Sequence, residues 1–190
     1  MSAPASPLWR VFPWDPAAAP GEPFSAAFIP RAQGSGRFDL PSTPVLYLAE
    51  SPGHAVAEKI QRFRGQELEP WDLAEFGRTL ALVAVDLAPD LAARVADLCD
   101  PAVLLEHGIR PDQVAARSRE TTRGVADALH ARGRAGIRWW SSMGGEWHAV
   151  TLFPDRVAEG ALRWGEPEPL SLVHPAVRDA ADALMIRRRG

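Results

Sequence analysis

Hydrophobic positions in this chain come in short runs separated by proline- and glycine-rich stretches, and the spacing within each run separates strands from helices. Residues 8–12 predict a short strand, and 15–34, rich in Pro, Ala and Gly, predict a loop across the surface. Residues 45–49 predict a second strand. Ser51-Pro52 then opens a helix, with serine as cap and proline in the first turn, where its missing N–H does no harm. In that helix, running from 52 to about 64, Val56, Ile60 and Phe63 share one stripe at helical spacing. Glu58 lies off the stripe, so packing does not explain it and the carboxylate is either solvated or in a cleft.

Residues 79–86 are apolar at both alternations (Leu80, Leu82, Val83, Val85), the pattern of a central buried strand rather than an edge. The pattern weakens from 91 to 119, where Pro101 opens a short helix over 101–106 and Gly108 closes it. A stronger helix follows at 120–132, with Val125 and Leu129 on its apolar face and Gly133 just past its end. Strands at 137–140 and 148–153 are joined through a Gly144-Gly145 turn, and the tail from 175 to 186 reads as helix. This order predicts a mixed α/β (α+β) fold around a sheet. The regular alternation and glycine-rich turn of a dinucleotide-binding doubly wound sheet are missing, which argues against a Rossmann fold.

Composition narrows the class. A chain of 190 residues that is 46% hydrophobic and 24% charged can fill a full core as one domain, 1–190. Eighteen prolines, clustered at 13–30, 41–52 and 167–175, predict long ordered loops. A net charge of -3 gives no overall electrostatic reason to bind nucleic acid or an anionic membrane. The single cysteine, Cys99, excludes an intramolecular disulfide and makes a reducing, cytoplasmic setting the default. The start, Met1-Ser2-Ala3-Pro4, lacks the basic-then-apolar pattern of an export signal, and no apolar run approaches a membrane span.

Several residues carry candidate chemistry, each beside a plainer reading. Arg37 follows Gly34-Ser35-Gly36, a flexible turn from which a guanidinium can fork onto a phosphate pair, although loop arginines are commonly only solvated. Tyr47, the sole tyrosine, is either a core residue with a satisfied hydroxyl or a ring that stacks on a base and orients a ribose. Glu58 is either a solvated helical glutamate or a carboxylate that stabilises positive charge at a sugar carbon. His54, one helical turn earlier, would border the same cleft. Ser141 and Ser142 follow Trp139-Trp140 at a strand end and can donate to a phosphate or ribose, or simply form a turn. Neither lies in a Gly-x-Ser-x-Gly elbow, which disfavours a hydrolase nucleophile. The five histidines show no metal-binding spacing, so no metal is expected.

Taken together, Leu8-Trp9-Arg10, Gly36-Arg37-Phe38-Asp39, Leu46-Tyr47-Leu48-Ala49-Glu50-Ser51, Ala55-Val56-Ala57-Glu58, Gly136-Ile137 with Ser141, and Ala149-Val150-Thr151-Leu152-Phe153 resemble the RES domain family. The order and close spacing of turn, tyrosine strand and glutamate helix make the first half of that resemblance specific. Here Ser142-Met143-Gly144-Gly145 stand where members often carry a basic residue, so either serine matches. The resemblance implies an ADP-ribosyltransferase-like fold with a central mixed sheet flanked by helices. It also implies a toxin that destroys NAD by hydrolysis or phosphorolysis and is blocked by an Xre-type antitoxin protein. Arg37 would grip the phosphates, Tyr47 would contact the nicotinamide or its ribose, Glu58 would act at the scissile carbon, and Ser141 or Ser142 would complete the pocket. Arg10 would be a second phosphate contact or a structural one. NAD is then substrate, no cofactor is required, water and inorganic phosphate are the two acceptors, and a homodimer is an admissible assembly. Two rivals are transfer of ADP-ribose to a macromolecule and a RES-fold binding module without catalysis.

Overall fold

The computed structural model describes residues 7–31, 34–144 and 146–189. In chain order the elements are β1 (Leu8–Pro13), β2 (Leu46–Ala49), α1 (Pro52–Ile60), β3 (Glu67–Leu68), β4 (Ala74–Glu75), β5 (Arg78–Leu87), α2 (Pro89–Ala92) and β6 (Val95–Asp97). There follow α3 (Pro101–His107), α4 (Pro111–Ala115), α5 (Arg119–Ala131), β7 (Gly136–Trp140), β8 (His148–Leu152), β9 (Leu162–Trp164), β10 (Glu168–Pro169), α6 (Pro175–Ala183) and β11 (Arg187–Arg188). The mixed α/β class expected from the sequence is what the chain adopts. Cα packing divides it into two compact units, one holding Ile29–Leu48 and Leu87–Arg163, the other Pro7–Phe28, Ala49–Asp86 and Trp164 onward.

In the first unit β2, β8, β7 and β6 are hydrogen-bonded in that order, β7 running antiparallel to β8 and parallel to β6. The sheet portion is therefore mixed. α5 lays Val125, Ala126 and Leu129 onto Ile137, Trp139 and Ala149 of the sheet, with Phe38, Leu40, Leu104 and Val114 closing the same core. Ser118 caps α5, its hydroxyl accepting from the Thr121 N–H at 3.3 Å. α3 ends on Gly108, whose φ of 65° is the left-handed conformation a glycine adopts without penalty.

In the second unit β5 lies between β1 and β10, antiparallel to both, and β4 folds back on its start. Leu80, Ala81, Leu82, Val83 and Val85 are all buried, as the two-faced apolar pattern of 79–86 requires. α1 packs on β1 and α6, and Ser51 caps it by accepting from the His54 N–H at 3.2 Å. The regular helix stops at Ile60 and continues as one 3-10 turn, Gln61–Phe63. The expected helix over 175–186 ends at Ala183, because Met185 adopts φ 55° and the Ile186 N–H turns back to the Ala181 carbonyl. Among the described residues no helix is long and apolar enough to cross a membrane. Gly145, half of the expected turn, and the start of the chain lie outside the described residues.

Candidate active site

The Gly36-Arg37-Phe38-Asp39 segment is a tight turn in the first unit, fixed from three sides. From β2, the Tyr47 hydroxyl accepts from the Phe38 N–H at 2.9 Å and donates to Asp39 Oδ1 at 2.8 Å. The Gly36 N–H donates to Asp39 Oδ2 at 2.8 Å. From α5, the Thr122 hydroxyl donates to the Arg37 carbonyl, and Arg123 donates to the carbonyl of Gly34 at 2.5 Å and more weakly to that of Gly36 at 3.4 Å. Burial, followed by the hydrogen bond to and the charge of Asp39, raises the Tyr47 pKa far above the ordinary phenol value. The phenol stays protonated as the turn needs it.

So held, Arg37 sends its Nη2 to the carbonyls of Val114 at 2.7 Å and Ala116 at 3.2 Å, at the end of α4. Its guanidinium carbon lies 5.5 Å from the centre of a Trp139 ring and 5.9 Å from that of Phe38, within cation–π range. The Phe38 and Trp139 rings are 5.0 Å apart and tilted, and the Trp139 indole N–H donates to Thr151 at 3.0 Å, which fixes the surface under the cation. Two residues beyond Trp139, Ser141 is buried, and its hydroxyl oxygen accepts from the Met143 N–H at 3.2 Å. Ser142 is exposed. This unit therefore brings Arg37, Tyr47 and Ser141 onto connected elements.

Arg10, His54 and Glu58 belong to the second unit. The Arg10 guanidinium donates to the carbonyls of Ala26 and Phe28, the latter at 2.6 Å, and lies 5.7 Å from the centre of the Phe12 ring and 5.9 Å from that of Trp164. Burial pulls its pKa down to about 10, so it remains charged at neutral pH. As placed, it ties the loop after β1 to the strand. Glu58 projects from α1 with its side chain 44% exposed, while His54 beneath it is 1% exposed. Oε1 of Glu58 lies 3.2 Å from His54 Nε2, which donates to it in the tautomer protonated there. Gln61 donates to Oε2 at 3.1 Å. The carboxylate is solvent-accessible and held at both oxygens, as a group needs to be if it is to stabilise charge without reorganising. Among the described residues no group of three His, Cys, Asp or Glu side chains could hold a metal ion.

The RES domain profile matches residues 7–172, most of the chain. The chain belongs to the RES domain family. Among solved structures, the M. tuberculosis MbcT–MbcA toxin–antitoxin complex contains a chain of the same fold, with a TM-score of 0.54 at 19% identity over 96% of this chain and 88% of that one. No curated protein matches this sequence significantly.

Within this RES domain the sequence pattern exposes Arg37, Tyr47 and Glu58 but leaves Asp39, Gln61, Thr122 and Arg123 without a role. Asp39 is quoted in the motif, yet nothing in a linear pattern says that its carboxylate turns back on the glycine three residues earlier. Thr122 and Arg123 look like ordinary polar positions of an amphipathic helix. Only the packing of α5 on the sheet brings them to the turn.

Proposed function

We propose that the chain is a toxin-type enzyme that cleaves the nicotinamide N-glycosidic bond of NAD, with water or inorganic phosphate as acceptor. The observation that carries this reading is the RES domain match, which spans Arg10, Arg37, Tyr47, Glu58, Ser141 and Ser142. The carbon–nitrogen bond breaks with its electron pair passing to the nicotinamide nitrogen. That neutralises the ring and leaves positive charge on the ribose carbon. An already cationic leaving group needs no strong acid, so Glu58 serves by its negative charge beside that carbon. The carbon then takes an oxygen from water, which releases a proton, or from phosphate. Arg37 grips the pyrophosphate, a role suited to a planar fork of donors, and Ser141 or Ser142 adds a hydroxyl to the pocket.

A partner is part of the same reading. The solved chain of like fold was captured in a toxin–antitoxin complex, and we propose that this chain is likewise restrained, in the cytoplasm, by an antitoxin of Xre type. The direct test is nicotinamide release from NAD by purified, antitoxin-free protein, with and without inorganic phosphate. Glu58→Ala is expected to lower release on the order of 10² fold or more, and circular dichroism should be unchanged because the side chain is half exposed. Unchanged release by that variant would remove Glu58 from the chemistry. Label from NAD appearing on a macromolecule would instead identify an ADP-ribosyltransferase.

A further inference from the structure

Asp39 has no part in the mechanism above, yet the N–H groups on both sides of Arg37 lead to it. Asp39 is only 5% exposed, and a buried carboxylate persists only where donors surround it. Oδ1 takes the Tyr47 O–H and Oδ2 takes the Gly36 N–H, with Arg123 Nη2 a further 3.8 Å from Oδ2. Through the tyrosine oxygen the same carboxylate reaches the Phe38 N–H. The N–H groups on both sides of Arg37 are thus tied to one acidic side chain, while Thr122 ties the Arg37 carbonyl. A Cβ added at Gly36 would lie 2.1 Å from Asp39 Oδ1 and 2.2 Å from the Tyr47 hydroxyl oxygen, so only glycine fits against the pair.

We propose that Asp39 is a positioning residue, acting through the Tyr47 hydroxyl and the Gly36 N–H to hold the Arg37 guanidinium in the orientation that binds the dinucleotide phosphates. The proposal rests on the reading of Arg37 as a phosphate ligand of NAD. It also reassigns the Tyr47 hydroxyl, both of whose hydrogen bonds go to the turn, leaving the ring as the part available to a ligand. The chemistry selects aspartate because both acceptor oxygens are used. Asparagine keeps one acceptor and presents an N–H₂ donor to the other group, which is itself a donor.

The test measures KM and kcat for NAD in Asp39→Asn, Tyr47→Phe and Arg37→Ala, and in Arg37→Ala combined with Asp39→Asn. Phosphate binding that is equal in ground and transition states appears in KM alone, so Asp39→Asn is expected to raise KM by about tenfold with little change in kcat. On the Arg37→Ala background the same change should leave KM where Arg37→Ala alone puts it, because a residue acting only through Arg37 has nothing left to position. A merely structural role would lower the denaturation midpoint without this loss of effect in the double variant. If Asp39→Asn does not fold, Tyr47→Phe removes the hydroxyl and keeps the ring, and the same comparison is made with it. A raised KM in Arg37→Ala together with an unchanged KM in Asp39→Asn would overturn the proposal alone. An unchanged KM in Arg37→Ala would overturn the phosphate reading and the proposal with it.

Discussion

His107, at the end of α3, is held as a neutral ring. Its Nδ1 accepts from Arg132 at 3.0 Å, and the same Arg132 nitrogen donates to the His107 carbonyl at 2.9 Å. Burial first, then the charge of Arg134, with a smaller push from Arg132, lowers its pKa below the ordinary 6.5 despite the opposing pull of Glu106. Below that ordinary value the unfolded chain binds a proton that the folded ring resists. Stability is therefore expected to fall as pH drops below the ordinary 6.5, and His107→Gln should flatten that dependence in urea titrations. An equal slope in the variant would place the sensitivity elsewhere. The sole tyrosine gives the opposite sign. A phenol raised far above its usual value contributes stability below about pH 10 that is lost above it. Tyrosinate absorbance should appear only as the protein unfolds in base. At this scale the candidate site was legible where a residue type and its neighbours implied a task, as with Arg37 after its glycines and Glu58 off the apolar stripe. Asp39, Thr122 and Arg123 were not legible, because their partners are fixed by folding back over distances that no local spacing records.

α5 joins packing to the site. One face buries Val125, Ala126 and Leu129 completely or nearly so, and the first two turns present Thr122 and Arg123 to the Arg37 turn. Leu129→Ala is expected to cost about 2–5 kcal/mol in chemical denaturation, the range for a buried leucine whose surroundings relax only partly. A cost under about 1 kcal/mol would mean that the core collapses around the gap. Elements with their own signals were readable in advance: the serine cap of α1, the glycine after α3, the glycine just past α5, and the doubly apolar β5. The short ones were not. α4 is five residues long and its last carbonyls receive the Arg37 guanidinium from 77 residues away, while β3 and β11 are two-residue strands that exist only by pairing with each other. The end of α6 was misplaced for a different reason. A methionine, not a glycine, takes the left-handed position there, so the sequence carries no stop signal.

For the molecule as a whole, the order in which the chain is made matters. The turn that aims Arg37 draws on Tyr47 close by and on Thr122, which lies 85 residues beyond Arg37 in sequence. Synthesis at about 5–20 residues per second separates the two by roughly 4–17 s. Through that interval the emerging segment has its arginine, its tyrosine and its aspartate but no α5 to hold them. Chains truncated before Arg119 should therefore present the 34–40 region to protease, and released chains extended past β8, which supplies the strands α5 packs on, should protect it. Protection in the shorter chains would mean that the tyrosine and aspartate suffice alone. On the proposed reading the consequence is one of timing. A nascent NAD-consuming enzyme stays harmless until α5 and the strands it packs on have been made, which leaves a window in which a partner protein made alongside it can be waiting.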